Sequence, residues 1–225
     1  MVSATGAPPP TVMVEQGDHK TLTIRLTPLG AIVGRILGLQ SQIRNPLTKD
    51  QIVAVNADGS FLAKNVPPVA YEVGIDRTPG LYLKSVRMGD EQLPDRRIDA
   101  SAKLAPVTVI LGANVGEVDG FVQNANGKPT ARARVNVIAY GEHSNRMDLN
   151  RVGFTDSKGE FKIKDVPPGD YKVFAWQDVP QAAPQDPEFR KPFEKQAAPV
   201  HVGPSGRENI SVIAIPAMAA IGRDQ

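Results

Sequence analysis

One stretch of this chain occurs twice, 100 residues apart. Gly59, Phe61, Lys64, Val66, Pro67, Pro68, Tyr71 and Val73 return without a gap as Gly159, Phe161, Lys164, Val166, Pro167, Pro168, Tyr171 and Val173. A repeat of that period leaves each copy enough chain for a core of its own. The 225 residues are therefore expected to form two related domains of about a hundred residues each. Asp156 to Val173 is the clearer copy. Phe161 and Ile163 alternate with Glu160, Lys162 and Lys164, the period of two of a strand buried on one face. Ser157-Lys158-Gly159 before it reads as a turn with Gly159 at positive φ, and Pro167-Pro168-Gly169-Asp170 after it as a type II turn. Tyr171, Val173 and Ala175 then alternate with Lys172, Phe174 and Trp176 as a second strand. In the first copy Val69 and Ala70 replace Gly169 and Asp170, which closes the same type II turn to it.

Composition agrees with small β domains. Twenty Gly and twenty Pro are spread along the chain and punctuate it into short segments, which favours strands over long helices. The absence of cysteine excludes disulfides, thiolate metal sites and Cys nucleophiles. The 26 basic and 24 acidic residues are interspersed, without the basic stripe that a nucleic-acid partner requires. Residues 1–10 lack a basic segment followed by an apolar one, so no signal peptide is visible. No run approaches eighteen apolar residues, and membrane insertion is not expected.

The order of segments predicts five parts. Residues 1–10 are an extended, Pro-rich lead-in. In residues 11–29, Val12, Val14, Leu22, Ile24 and Leu26 alternate with polar neighbours around Gln16 to Asp18, much as Val200, Val202, Ile210 and Val212 do around Pro204-Ser205-Gly206. These residues read as the terminal strands of a preceding module or as a docking hairpin, able to complete a neighbour's sheet by strand addition. Gly30, Ile32 and Gly34 open a first module over 30–112, in which Gln40 to Asp50 lacks an early Gly-x-Pro turn. Gly116, Val118 and Gly120 open a second over 113–216, and 217–225 are a tail. The second module is expected to hold a strand over Val118 to Val122, a turn at Asn126-Gly127, and a strand from Val135 to Tyr140 with Val135, Val137 and Ala139 on one face. Its long irregular loop, 177–198, contains Pro180, Pro184, Pro187, Pro192 and Pro199. One short helical turn is expected there over Asp186 to Lys195, capped by Asp186 with Pro187 at its first position.

Several of these motifs carry a family resemblance. Gly127-Lys128-Pro129, Ala131 to Val137, Thr155-Asp156 with Gly159 and Phe161, and Val166-Pro167-Pro168-Gly169-Asp170-Tyr171 resemble the carboxypeptidase regulatory-like domain. Trp176, with Asp186-Pro187-Glu188-Phe189 and Pro192-Phe193-Glu194, is similar to a subgroup at the C-terminal ends of large exported bacterial proteins. The resemblance covers the second module and, in part, the first, from about Asn56 to Leu111. It implies an all-β chain of tandem Ig-like, transthyretin-like β-sandwich domains. It also implies non-catalytic attachment domains without a cofactor, and an extracellular or cell-envelope location.

The candidate sites are few. His19, His143 and His201 have no metal-ligand spacing, and Ser205 lies outside any nucleophile-elbow pattern, so neither catalytic nor metal residues are assigned. Asp178, Asp186, Glu188 and Glu194 share the long loop without the spacing of a calcium site, and read as a helix cap and solvated charges. Trp176, Phe189 and Phe193 form either an aromatic platform for a sugar ring or inward anchors for the loop, the second reading being preferred. Tyr71 and Tyr171 follow tight turns and are placed to bond the turn backbone, in the manner of a tyrosine corner. Asn209-Ile210-Ser211 is formally a glycosylation acceptor inside an expected strand.

The chain is thus read as a non-catalytic structural or adhesive β-sandwich protein acting through protein–protein contacts. Trp176, Asp178, Asp186, Glu188, Phe189 and Phe193 mark the candidate ligand or partner surface. Two alternatives stay open. One is a self-assembling surface or filament subunit, a homo-oligomer built by addition of the strands of Val12, Val14, Leu22, Ile24 and Leu26. The other is a carbohydrate-binding accessory module.

Overall fold

The computed structural model of the chain describes residues 12–14, 23–28, 51–54, 70–75, 77–99 and 106–217. The lead-in up to residue 10, Leu22, the motif of Gly30, Ile32 and Gly34, the segment from Gln40 to Asp50, the repeat residues from Gly59 to Pro68, and the tail from residue 218 lie outside them. The chain divides into two compact units that part between Ala113 and Asn114. No helix among the described residues is long and apolar enough to cross a membrane.

Among the described residues the first unit is built of strands. Its strands are β1 (Val12–Val14), β2 (Thr23–Pro28), β3 (Gln51–Ala54), β4 (Ala70–Ile75), β5 (Tyr82–Met88), β6 (Glu91–Gln92), β7 (Arg97–Asp99) and β8 (Val107–Gly112). They form two four-stranded sheets, ordered β1-β8-β5-β6 and β3-β2-β4-β7. Tyr71 and Val73 of β4, Val109 and Leu111 of β8, and Leu83, Val86 and Ile98 are buried together. Each pair two residues apart points to one side of its sheet, as alternation requires.

The second unit consists of β9 (Gly116–Gln123), β10 (Arg134–Ala139), β11 (Arg151–Phe154), β12 (Glu160–Val166), β13 (Gly169–Trp176), the one-turn helix α1 (Pro187–Arg190), β14 (Ala198–Val202) and β15 (Arg207–Ile213), with short 3-10 turns between. One sheet runs β12-β9-β15 and the other β11-β10-β13-β14. The chain changes sheets between β9 and β10, β11 and β12, β12 and β13, and β14 and β15, so the unit is a β-sandwich. Local chemistry sets its tight turns. The Asn124 side chain accepts from the N–H groups of Asn126 and Lys128 at 3.0 Å each, with Gly127 at φ +73°. Asp156 accepts likewise from Lys158 and Glu160, at 2.9 and 2.8 Å. Gly159 completes that second turn at φ +84°, where a Cβ would lie 2.7 Å from the carbonyl oxygen of Val122.

The two units share an order of strands. The sheet β3-β2-β4-β7 has the succession of β11-β10-β13-β14, and the parallel pair β1–β8 has its counterpart in β9–β15. Strands β3 and β11, β4 and β13, and β8 and β15 stand about 100 positions apart.

Two expectations are corrected. First, the strands of residues 11–29 do not form a hairpin with each other: β1 pairs with β8, and β2 lies between β3 and β4. Ile24 and Leu26 therefore have neighbours on both sides, and β2 offers no free edge for strand addition. Val12 and Val14 belong to β1, which is paired on one side. Second, Val166 to Gly169 is a crossing from one sheet to the other rather than a type II turn. Gly169 sits at φ +152°, and Asp165, at φ +58°, produces the register shift that ends β12. Val135, Val137 and Ala139 share one face of β10 as expected, and the opposite face is buried too, with Asn136 and Ile138 covered as fully as Val135 and Val137.

Candidate functional site

The outer face of β10 is covered at Ile138 by the segment that follows β13, together with Ile215 after β15. On the outer face of β11-β10-β13-β14, Ile138, Phe174 and Trp176 are buried in one cluster with Phe193 and Ile215. These three cannot stay wet without losing their burial, and the long loop folds back over them. Trp176 is fully buried. Phe193 meets it edge-on at 5.1 Å between ring centroids, Phe189 lies at 5.5 Å, and Phe174 stacks on it at 5.9 Å. Such pairs add about 0.5–1.5 kcal/mol each to the burial of their area.

Polar contacts hold the loop in place. Asp186 caps α1 by accepting from the Glu188 N–H at 2.9 Å, with Pro187 in the first turn. The buried Arg190 donates to the carbonyl of Pro184 at 2.8 Å, and the Asn150 amide to Gln185 Oε1 at 3.2 Å. Lys172 of β13 pairs with Glu194 of the loop. Arg151 fixes the facing segment, donating to the carbonyls of Asp165, Asp148 and Asn150 at 2.6, 2.9 and 2.9 Å. Beneath, the buried Tyr171 hydroxyl donates to the Pro167 carbonyl at 2.7 Å, the bond expected of it.

Between the loop and the 3-10 turns after β10 lies a cleft of 340 Å³. Ile138, Phe174 and Pro187 give it an apolar wall, and Tyr140, Lys172, Arg190 and Glu194 a polar one. The Lys172 ammonium sits 3.8 Å from the centre of the Tyr140 ring, a cation–π contact. Burial pulls the pKa of Lys172 down, but its bonds to Glu194 and Tyr140 outweigh that and leave it raised. Burial lowers the pKa of Arg190 against the attraction of Glu194 and Asp186. The cleft is thus a small apolar slot with two cations, one carboxylate and a half-exposed phenol at its rim.

The candidate surface read from the sequence is brought together only in part. Trp176, Phe189 and Phe193 meet, but facing inward. A sugar ring needs an open aromatic face, and Trp176 and Phe193 have none, which corrects the platform reading. Asp178 and Glu188 are exposed, Glu188 pairs at 3.9 Å with Lys191, and Asp186 is the cap. Among the described residues no three His, Asp or Glu side chains gather where they could hold a metal ion. His201 contacts Asp170 at 2.7 Å on the exposed rim of β13 and β14. Sequence reasoning missed Tyr140, Lys172 and Arg190. The available signal was Phe174 and Trp176 on the face of β13 opposite Tyr171, Val173 and Ala175, since apolar side chains on both faces of a strand require a cover.

Residues 117–189 match the carboxypeptidase regulatory-like domain. The matched part of that domain runs from β9 into α1, through the sandwich and the first half of the loop cover. No curated protein matches the chain. Among solved structures, the chain is similar to GBS52, the minor pilin of Streptococcus agalactiae, at 14% identity over 87% of this chain and 82% of that one, with a TM-score of 0.37. It is similar to the Bacillus anthracis TIE protein at 15% identity, over 90% of this chain and 32% of that one, with a TM-score of 0.31. Against BcpA, the major pilin subunit of Bacillus cereus, the identity is 13%, over 86% of this chain and 59% of that one, with a TM-score of 0.29.

Proposed function

We propose that this chain is a non-catalytic β-sandwich protein of the bacterial cell envelope or exterior, built of two related modules, that works through protein–protein contacts. The contact site is the loop-covered face of the carboxypeptidase regulatory-like domain, at the cleft rimmed by Tyr140, Lys172, Arg190 and Glu194. One observation carries this reading: the loop commits Trp176, Phe189 and Phe193 to its own anchoring, so what it offers outward is a preorganised rim of mixed charge around a small slot. Preorganisation lowers the ordering cost of binding, and an apolar slot with an aromatic and charged rim suits a partner's protruding side chain.

The test is photo-crosslinking in the cells that make the protein, with a benzophenone side chain at Tyr140 and, as control, at the exposed Ser211 of β15. The expected result is a discrete protein adduct from position 140 and none from 211. Adducts that are carbohydrate, or equal labelling from both positions, overturn the assignment.

A further inference from the structure

We propose that β11 is a self-association edge, through which two copies of this chain join their β11-β10-β13-β14 sheets about a two-fold axis at Gly153. The inference rests on the protein-contact reading above and names a partner for it, a second copy, at a different surface.

Among the described residues, the four sheet edges of the second unit differ. β12 carries Glu160, Lys162 and Lys164 and ends in the Asp165 irregularity. β15 carries Arg207 and Glu208, and β14 carries Pro199. Charges, irregularities and prolines are the devices that keep edges from pairing. β11 has the sequence Arg-Val-Gly-Phe, and its one charge, Arg151, is buried and bonded to three carbonyls of its own unit. Val152 and Phe154 are 39% and 64% exposed. They lie on the same face, opposite Asn136 and Arg134 of β10, and Met147, just upstream, is 60% exposed.

The backbone is also arranged for it. The Thr155 N–H donates to Ala133 O, toward β10, so by the alternation of an antiparallel ladder Gly153 and Arg151 also bond toward β10. The N–H and C=O groups of Val152 and Phe154 then point out of the sheet. Two antiparallel copies of β11 centred on Gly153 place Val152 of each opposite Phe154 of the other. Both are hydrogen-bonded pairs, so four backbone bonds form, and each β-branched side chain meets an aromatic one, a favourable cross-strand combination. Gly153 adds no bulk at the axis, and its own inner side is filled by Ile163, 2.7 Å from where a Cβ would stand. The strand is thus complementary to itself in register, hydrogen bonding and side-chain pairing, as a two-fold interface demands.

The experiment is sedimentation equilibrium of the full chain over a wide concentration range, with Phe154→Lys, the control Ile213→Lys on β15, and Tyr140→Ala at the cleft. A reversible dimer is expected whose dissociation constant rises about tenfold or more in Phe154→Lys, since two Val–Phe pairs are lost. Ile213→Lys and Tyr140→Ala leave it unchanged. Register is read separately. The chain has no cysteine of its own. An oxidised mixture of Val152→Cys and Phe154→Cys chains is expected to cross-link the two to each other more than either to itself, because opposed residues are within disulfide reach and like positions are not. A monomer at every concentration overturns the proposal, as does a dimer indifferent to Phe154→Lys or cross-links without that preference. A dimer lost only in Tyr140→Ala overturns it too, while placing self-contact at the cleft. A Tyr140 adduct in cells beside a monomeric chain in solution sinks the edge and keeps the protein-contact reading.

Discussion

The two units answer one question of packing in two ways. In both, the strand that carries the repeated Tyr and Val sits inside a four-stranded sheet of the same order, and the chain leaving it must return to the next edge strand. In the first unit that return makes β5 and β6, which extend the opposite sheet beside β8. In the second it becomes the helical cover over the outer face of β13. The difference begins at two positions. In the sequence repeat Gly74 and Asp76 correspond to Phe174 and Trp176, and β4 buries only alternate residues, whereas β13 is buried without interruption from Val173 to Trp176. Two aromatic side chains on an outer face turn a connecting segment into a third layer, because their burial repays the ordering of the loop.

The largest expected effect tests that cause. Trp176→Ala should lower the unfolding free energy of the second unit by about 3–5 kcal/mol, the cost of emptying a buried aromatic site, as read by urea denaturation. If the loss is under about 1 kcal/mol, the cover does not depend on the cluster, and the aromatic pair is not what separates the two units. Next comes the feature the units share in sequence. Tyr171→Phe removes the bond to Pro167 and should cost about 1–1.5 kcal/mol. An equal loss in Tyr71→Phe, seen as a separate shift of the first unit's transition, extends the corner to both units.

A smaller effect belongs to the cover alone. Asp186→Ala removes the cap of α1 and should cost about 1 kcal/mol, with faster amide exchange confined to residues 183–196. Loss of protection through β13 as well breaks the view that the cover is a layer on a finished sandwich. The smallest effect concerns the wet outer face of β12-β9-β15. Hydrogen bonding from Lys162, helped by Arg207 and opposed by desolvation, holds the Glu117 carboxyl below its usual 4.5. A depressed folded-state pKa contributes stability above the unfolded value, and that contribution is lost as pH falls through the folded one. The stability gap between the native chain and Glu117→Gln should therefore shrink between pH 7 and about pH 3. A gap that is constant or grows in acid contradicts the charge ladder.

Much of the second unit was legible because its chemistry is local. The alternation of Phe161 and Ile163, the Asn124 and Asp156 turns, the Asp186–Pro187 helix start and the Tyr171 corner each involve residues within a few positions of one another. The cleft was not legible. Its walls come from Tyr140, Lys172, Arg190 and Glu194, which no short-range pattern links, and its existence depends on where the loop lands.

By itself the sequence determined that the chain is all β, where most strands and tight turns of the second unit lie, and that the loop holds a capped turn of helix. These follow from backbone preferences and side-chain period, which act over a few residues. Only the tertiary structure decided that β1 and β2 close the first unit, that the Pro-Pro-Gly segment crosses between sheets, and that Trp176 faces a cover rather than a sugar. Those are choices among partners distant in the chain. They are settled by which arrangement buries the most apolar surface with every strand hydrogen-bonded, a condition that no local segment can evaluate alone.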